Sequence, residues 1–342
     1  MTESAYRQYL EVDQFLKCPI AAKALHTSLQ MGLIDHISKI KTASTEDLLQ
    51  HLQVHPDGLS VLLSILQNSG VLTCESNAWT FTESFRRVLC YLDLIRCKLE
   101  MAMQVSVDYL QKFDVFVKSP GEFQHQSKLF EIFNYGRLLE ITPENCAHAT
   151  RWMRYTTVLT KYESQGFIDH ASFDSFENAI DLGGNSGEFA RQLATVFNRS
   201  AFTVADLPVV CEVGKRHINT FPQCNNVRFQ PWDLRNEPVP TGFDLITCKS
   251  LLHDWPLQIA RELVSNIRKS IKRGGQLFIF ERARWNPNDF PWSFGELPIS
   301  LFHYSYRDAA VYRSWLQEDG WTDIDILMVP LDVPFMLIQA KY

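Results

Sequence analysis

The chain has 342 residues, 46% of them hydrophobic, with 23 Phe, 8 Trp and a formal net charge of -6. That length accommodates about two domains with sizeable cores, the composition excludes a disordered chain, and the acidic balance argues against nucleic acid as the main partner. The eight cysteines (18, 74, 90, 97, 146, 211, 224, 248) form no CxxC pair and no 18-residue apolar run occurs, so zinc, a disulfide framework and a membrane span are not indicated and a reducing cytoplasm is the simplest compartment.

Residues 1–19 read as a helix ending near Pro19. Leu25 to His36 is amphipathic, with Gly32 as a stop or kink. Thr45 to Leu52 starts at a capping residue, Ser44 or Thr45, and carries Leu48, Leu49 and Leu52. Asp57 to Gly70 is a further helix. Gly70–Cys74 and Ala78–Thr82 read as a short hairpin. Three helices and a hairpin make a winged-helix pattern, a form that often binds DNA. Between positions 20 and 90, however, five basic residues face six acidic ones, and the apparent recognition helix has no Lys or Arg. A phosphate-reading face needs clustered positive charge, so packing or dimerisation is the expected role.

Residues 85–165 are mostly helical by periodicity, with broad apolar faces around Asp93–Val105 and after Pro143. Trp152, Met153 and Tyr155 read either as core or as one wall for a flat apolar ligand. A polar linker near 170–177 is the expected boundary. The assignment is 1–105 for the first domain, 106–170 for a helical linker contributing to the pocket and 171–342 for a second domain.

After 178 the pattern alternates. Strands are expected at 178–182, 200–205, 226–231, 243–248 and 275–280, with helices at 187–197, 208–219 and 257–272. Such alternation implies a doubly wound, mostly parallel α/β sheet of Rossmann-like form. A helix at 308–319 and strands at 322–328 and 335–341 follow, the last two as an antiparallel hairpin at the sheet edge.

The first of these strands ends in Asp181-Leu182 and runs into Gly183, Gly184 and Gly187 before a helix. Glycines there let the backbone bend sharply and approach a ligand, and the helix start offers free N–H groups. Asp206 ends the second strand, where an acid can accept both ribose hydroxyls; as the residue before Leu207-Pro208 it also suits a helix start. Asp233 ends the third strand and can accept an adenine amino hydrogen. The adjacent glycines do not fit the G-x-G-x-x-G of dinucleotide enzymes, so a smaller nucleoside cofactor is expected. His253, just past the fourth strand, is a competent general base, and Glu281 at the end of the fifth can fix its tautomer.

Taken together these residues resemble the class I S-adenosylmethionine-dependent O-methyltransferases, the group with caffeate, acetylserotonin and polyketide methyltransferases. Ala24–His36, Leu59–Leu72 and Phe81-Thr82 are similar to its dimerisation domain. Asp181–Gly187 is similar to its glycine motif, with Asn185 where a third glycine is common. The resemblance implies that Asp206 and Leu207 bind the ribose side and that Asp233 and Leu234 flank the adenine. It also implies that Lys249 lines the cofactor site and that His253 is the catalytic base, supported by Glu281. It further implies S-adenosyl-L-methionine as cofactor, no metal, an intertwined homodimer and a small aromatic or polyketide acceptor, which Trp152, Met153, Phe302, His303 and Tyr306 would sandwich. One position departs from the plant pattern: Tyr306-Arg307-Asp308 stands where those enzymes carry a second glutamate, leaving Asp308 or His303 as substitutes. Two alternatives remain open at this point, a non-methylating cyclase on the same cofactor-binding scaffold and a winged-helix ligand-sensing regulator.

Overall fold

The computed structural model describes residues 19–127, 135–286, 293–300 and 302–342, with Tyr9, Val12 and Phe133. Most of the helix expected over 1–19 lies outside these residues. The chain forms two compact units, Met1–Ser119 with Pro291–Ser300, and Pro120–Phe290 with Leu301–Tyr342.

In the first unit the helices Pro19–Gln30 and Leu33–Ile40 are separated by Gly32, whose φ of 82° is a left-handed conformation that glycine adopts without a Cβ penalty. Strand β1 (Ala43–Ser44) leads into the helix Thr45–Leu52. Ser44 caps that helix: its hydroxyl accepts from the Asp47 N–H, and Asp47 returns a bond to the Ser44 N–H. The helix Pro56–Asn68 buries Leu59, Leu63 and Leu66 along one face. Strands β2 (Leu72–Glu75) and β3 (Ala78–Phe81) form the expected hairpin, and β1 pairs with β3 to make three strands in the order β1-β3-β2. A two-residue strand carries no periodicity of its own, so β1 is not visible in sequence. The helix Leu92–Lys118 follows, with a non-helical break at Lys112; position 105 lies inside it.

The second unit is built on a seven-stranded sheet. Its strands are β4 (Asn178–Leu182), β5 (Ala201–Asp206), β6 (Val227–Pro231), β7 (Leu245–Lys249), β8 (Gln276–Arg282), β9 (Thr322–Pro330) and β10 (Pro334–Lys341). The spatial order is β6-β5-β4-β7-β8-β10-β9. The first five are parallel, and β10 runs antiparallel between β8 and β9. This is the doubly wound sheet with a closing antiparallel hairpin that the alternation predicts. Strand β8 is buried along its whole length, as a strand covered on both faces must be, whereas edge strand β9 is largely exposed.

Phenylalanines fill much of one sheet face. Phe167, on the helix Pro143–His170, packs its ring 4.9–5.4 Å from Phe189, Phe278 and Phe280 in edge-on contacts, each of which contributes about 0.5–1.5 kcal/mol beyond buried area. No helix among the described residues is long and apolar enough to cross a membrane.

Candidate active site

The winding reverses at β4: β5 and β6 lie on one side, β7 and β8 on the other. Ligands of open parallel sheets sit at the carboxyl ends of strands at such a switch point. The turn after β4 is shaped for close approach. Gly183 and Gly187 have φ of 65° and 76°. A Cβ on Gly184 would lie 2.6 Å from Asp181 Oδ2 and 2.8 Å from Val204 Cγ1, so no side chain fits there. Asn185 adopts φ 55° in the place where a third glycine is common, a conformation that asparagine tolerates better than most residues. Its N–H donates to Asp206 Oδ2 at 2.8 Å, and its Oδ1 accepts from the Ser186 N–H at 2.7 Å. The turn is thereby tied to the end of β5.

The three rim acids differ in how their oxygens are engaged. Asp206 accepts from the N–H groups of Asn185 and Leu207, and burial raises it to about 6 against the pull of those bonds. Asp181 is deeply buried. Its Oδ1 accepts from Thr247 Oγ1 at 2.7 Å, while Oδ2 has no hydrogen-bond partner among the described residues. Burial raises it to about 7. An orphaned carboxylate oxygen beside a glycine cradle fits a group that brings its own donors or positive charge. Asp233 differs. Its carboxylate is taken up by Arg235 Nε at 2.7 Å, Arg235 Nη2 at 2.8 Å and Asn236 Nδ2 at 3.0 Å, and Arg235 holds it below the usual carboxylate range. An adenine amine would have to share these oxygens. Leu234 packs against the core cluster that includes Leu252, and Leu207 against the one containing Trp152 and Met153.

His253 and Glu281 meet. Nδ1 of the buried imidazole lies 2.7 Å from Glu281 Oε2, and Glu281 Oε1 accepts from the N–H groups of Leu251 and Leu252 at 2.7 and 2.6 Å. Burial alone would lower the imidazole, but the Glu281 and Asp254 carboxylates outweigh it and raise His253 above its ordinary value. Burial alone would raise Glu281, but His253 and the two backbone donors bring it below its ordinary value. With Nδ1 bound to a carboxylate, Nε2 is the nitrogen left to exchange a proton.

The second carboxylate beside the imidazole is Asp254, not Asp308. Asp254 Oδ1 lies 3.4 Å from His253 Nε2, and its Oδ2 accepts from the Tyr135 hydroxyl at 2.9 Å. Asp308 is exposed and begins the helix Ala309–Glu318 without a side-chain cap bond. Tyr306 instead lays its ring against His253, with centroids 5.0 Å apart. Arg307 donates to the carbonyls of Leu252 and Trp255 at 2.7 and 2.5 Å and so fixes the loop that carries His253.

Aromatic rings gather around the imidazole. Phe302 lies 6.1 Å from His253 and 6.0 Å from Phe133, which in turn lies 5.7 Å from Trp152. Trp285 lies 4.4 Å from His303 and 5.5 Å from Tyr306. Burial lowers His303, with help from Arg284, and no carboxylate reaches it among the described contacts. Met153 is buried beside Trp152 in the cluster with Leu138. The ammonium of Lys249, at the end of β7, is engaged by Glu163 and Thr160. Glu163, Arg282, Asp254, Tyr135 and Arg307 were not visible as site residues in sequence. Only Asp254 had a usable signal, its position next to the candidate base.

Family models match the chain twice, an O-methyltransferase domain over residues 131–320 and an O-methyltransferase dimerisation domain over residues 14–97. Cephaeline 6'-O-methyltransferase of Carapichea ipecacuanha is 24% identical over 337 residues, covering 89% of this chain and 88% of that protein. A probable bifunctional dTTP/UTP pyrophosphatase/methyltransferase of Homo sapiens is 31% identical over 131 residues, 38% of this chain and 21% of its own length. With two other curated relatives, a demethylspheroidene O-methyltransferase of Rhodobacter capsulatus and O-methyltransferase 7 of Dictyostelium discoideum, the chain spans 25% and 50% of their lengths. Among solved structures, an O-methyltransferase from neocarzinostatin biosynthesis, in complex with S-adenosylmethionine and 2-hydroxy-5-methyl naphthoic acid, superposes with a TM-score of 0.67. It is 15% identical, covering 94% of this chain and 95% of that one, so the likeness is one of fold.

Proposed function

The chain belongs to the O-methyltransferase family, and from that premise we propose that it moves a methyl group from S-adenosyl-L-methionine to a phenolic or enolic hydroxyl of a small aromatic or polyketide-type natural product. The observation that carries this reading is the buried His253–Glu281 pair, 2.7 Å apart, at the strand ends beside the glycine turn. Gly183, Gly184, Gly187, Asp181 and Asp206 would hold the cofactor, with Leu207 and Leu234 as apolar neighbours and Asp233 bracing the adenine side through its Arg235 pair. When bound, that cofactor supplies a methyl already activated on a sulfonium.

The chain's own residues then position and deprotonate. His253 Nε2 takes the acceptor's hydroxyl proton, while Glu281 fixes the tautomer and stabilises the imidazolium that forms. Base catalysis of this kind is worth on the order of 10²–10⁴-fold. Trp152, Met153, Phe302, His303 and Tyr306 would sandwich a planar acceptor and keep water from the oxygen. The acceptor class is supported by the phenolic naphthoic acid bound in the superposable neighbour. The dimerisation match supports a homodimer, which sedimentation would reveal as twice 39.5 kDa. The test of function is a mass-spectrometric screen of aromatic and enolic acceptors with S-adenosylmethionine. A product heavier by one methyl, formed with S-adenosylhomocysteine, is expected; binding of the cofactor with no transfer to any acceptor would overturn the reading.

A further inference from the structure

The helix Pro143–His170 turns one stripe of side chains toward the strand ends. Thr156 and Thr157 bond Asn185 and Ser186 in the glycine turn, Thr160 accepts from Lys249, and Glu163 meets both Lys249 and Arg282. Glu163 is 1% exposed. A carboxylate buried so deeply is costly unless it is paired and hydrogen-bonded, and here two cations share it. The two cations come from different strands. Lys249 is the last residue of β7, four before His253, and Arg282 directly follows Glu281 at the end of β8.

We propose that Glu163 is a positioning residue for the catalytic pair: by holding Lys249 and Arg282 together it fixes the ends of β7 and β8 at the separation that lets His253 meet Glu281, and it balances the Arg282 charge beside them. This rests on the reading of His253 as the base. The charged and titratable groups facing His253 are Glu281 and Arg282 of β8, Asp254 in its own loop with Tyr135 bonded to it, and Tyr306; Arg307 binds carbonyls of that loop, and Lys249 at the end of β7 is paired with Glu163. Among the charges that act on His253, Arg282 is the one that disfavours the imidazolium, and Glu163 is its ion-pair partner. With Glu163 neutral, Arg282 loses its ion-pair partner, keeps only the weaker influence of Asp332, and weighs more heavily against the charged imidazole.

The test is Glu163→Gln in the full chain, with the His253 titration followed by nitrogen NMR of histidine-labelled protein and assigned by its loss in His253→Ala. The midpoint is expected to fall by roughly half a unit to one unit, less than the 1–3 units of a charge in direct contact because Glu163 acts through Arg282. The kcat against pH shifts with it, while KM for S-adenosylmethionine changes little. Glu163→Asp, which keeps the charge, retains the midpoint. A folded Glu163→Gln protein with an unmoved midpoint overturns the proposal. Should that variant fail to fold, Glu163→Gln/Arg282→Gln removes both charges: a wild-type midpoint supports the balance and a displaced one overturns it. A wild-type enzyme that methylates nothing overturns the proposed function instead, and the NMR midpoint still decides the role of Glu163.

Discussion

The imidazole of His253 and the carboxylate of Glu281 stand 2.7 Å apart, both buried, and the second oxygen of Glu281 is bound by two backbone N–H groups of the His253 loop. One carboxylate thus fixes both the ring and the loop that presents it. His253→Ala is expected to lower turnover on the order of 10²–10⁴-fold with cofactor affinity unchanged by calorimetry. Glu281→Ala strands the imidazole and two N–H groups, so it should also cost stability, roughly 3–5 kcal/mol in denaturant unfolding. Wild-type-like turnover in His253→Ala would falsify the base assignment.

The pH response follows from the same pair. His253 is raised above its ordinary 6.5, so its pairing stabilises the fold fully below the unfolded value and that contribution is lost as pH rises through the folded value. Glu281 is depressed, and its contribution is present above its unfolded value and lost as pH falls through the folded one. Turnover needs the neutral imidazole, so kcat should climb with pH through the raised His253 value. A rate already flat from pH 6 upward would contradict this.

Asp181 and Asp206 are held up to about 7 and about 6, burial being the first cause in each. Carboxyls raised above their ordinary 3.8 favour the free fold when protonated, so on this account its stability declines as pH rises from there toward those values. A cationic cofactor with ribose hydroxyls favours the ionised forms. Its binding is therefore expected to strengthen between about pH 5 and 8 and to release protons, read as a heat that varies with buffer ionisation enthalpy. Asp206→Ala should weaken binding sharply at all these values. Buffer-independent heats would remove both acids from the cofactor site.

Gly184→Ala places a methyl 2.6 Å from Asp181 Oδ2 and 2.8 Å from Val204 Cγ1. Neither neighbour is the free end of a long side chain. Overpacking of this kind costs about 1–3 kcal/mol, seen as a lower Tm, with cofactor affinity reduced as the cradle shifts. Gly242→Ala, where nothing lies within 4 Å but φ is 97°, isolates the backbone effect alone. Gly184 has no left-handed φ, so its loss reports crowding alone, and an unchanged Tm in Gly184→Ala would show that crowding there is unimportant.

Much of this site could be read from sequence because its parts lie at the ends of strands that alternate with helices. Asp181, Asp206, His253 and Glu281 each close a strand or follow one, and periodicity places strand ends well. The three glycines and the capping box at Ser44 are local signals of the same kind. The rest of the site depends on side chains far apart in the chain. Glu163 reaches Lys249 across 86 positions and Arg282 across 119. Tyr135 reaches Asp254 across 119 as well. No window of sequence contains both partners, and a glutamate in a helix reads as solvated surface until its neighbours are known. The second carboxylate illustrates the converse: the one beside the imidazole, Asp254, comes from the residue adjacent in sequence rather than from the register around Asp308.

Strand β10 is inserted between β8 and β9, with Met336 opposite Glu281. During synthesis, β8 therefore emerges with one edge unpaired and keeps it until residues 334–341 follow. A nascent chain can wind its parallel strands early, but the edge beside Glu281 closes only through a long-range antiparallel pairing, the slow kind of step in folding. An apolar, fully formed strand with an open edge is also a template for misassembly. Refolding should accordingly show catalytic competence appearing after the bulk of the helical signal, and chains arrested before β10 should be the aggregation-prone species.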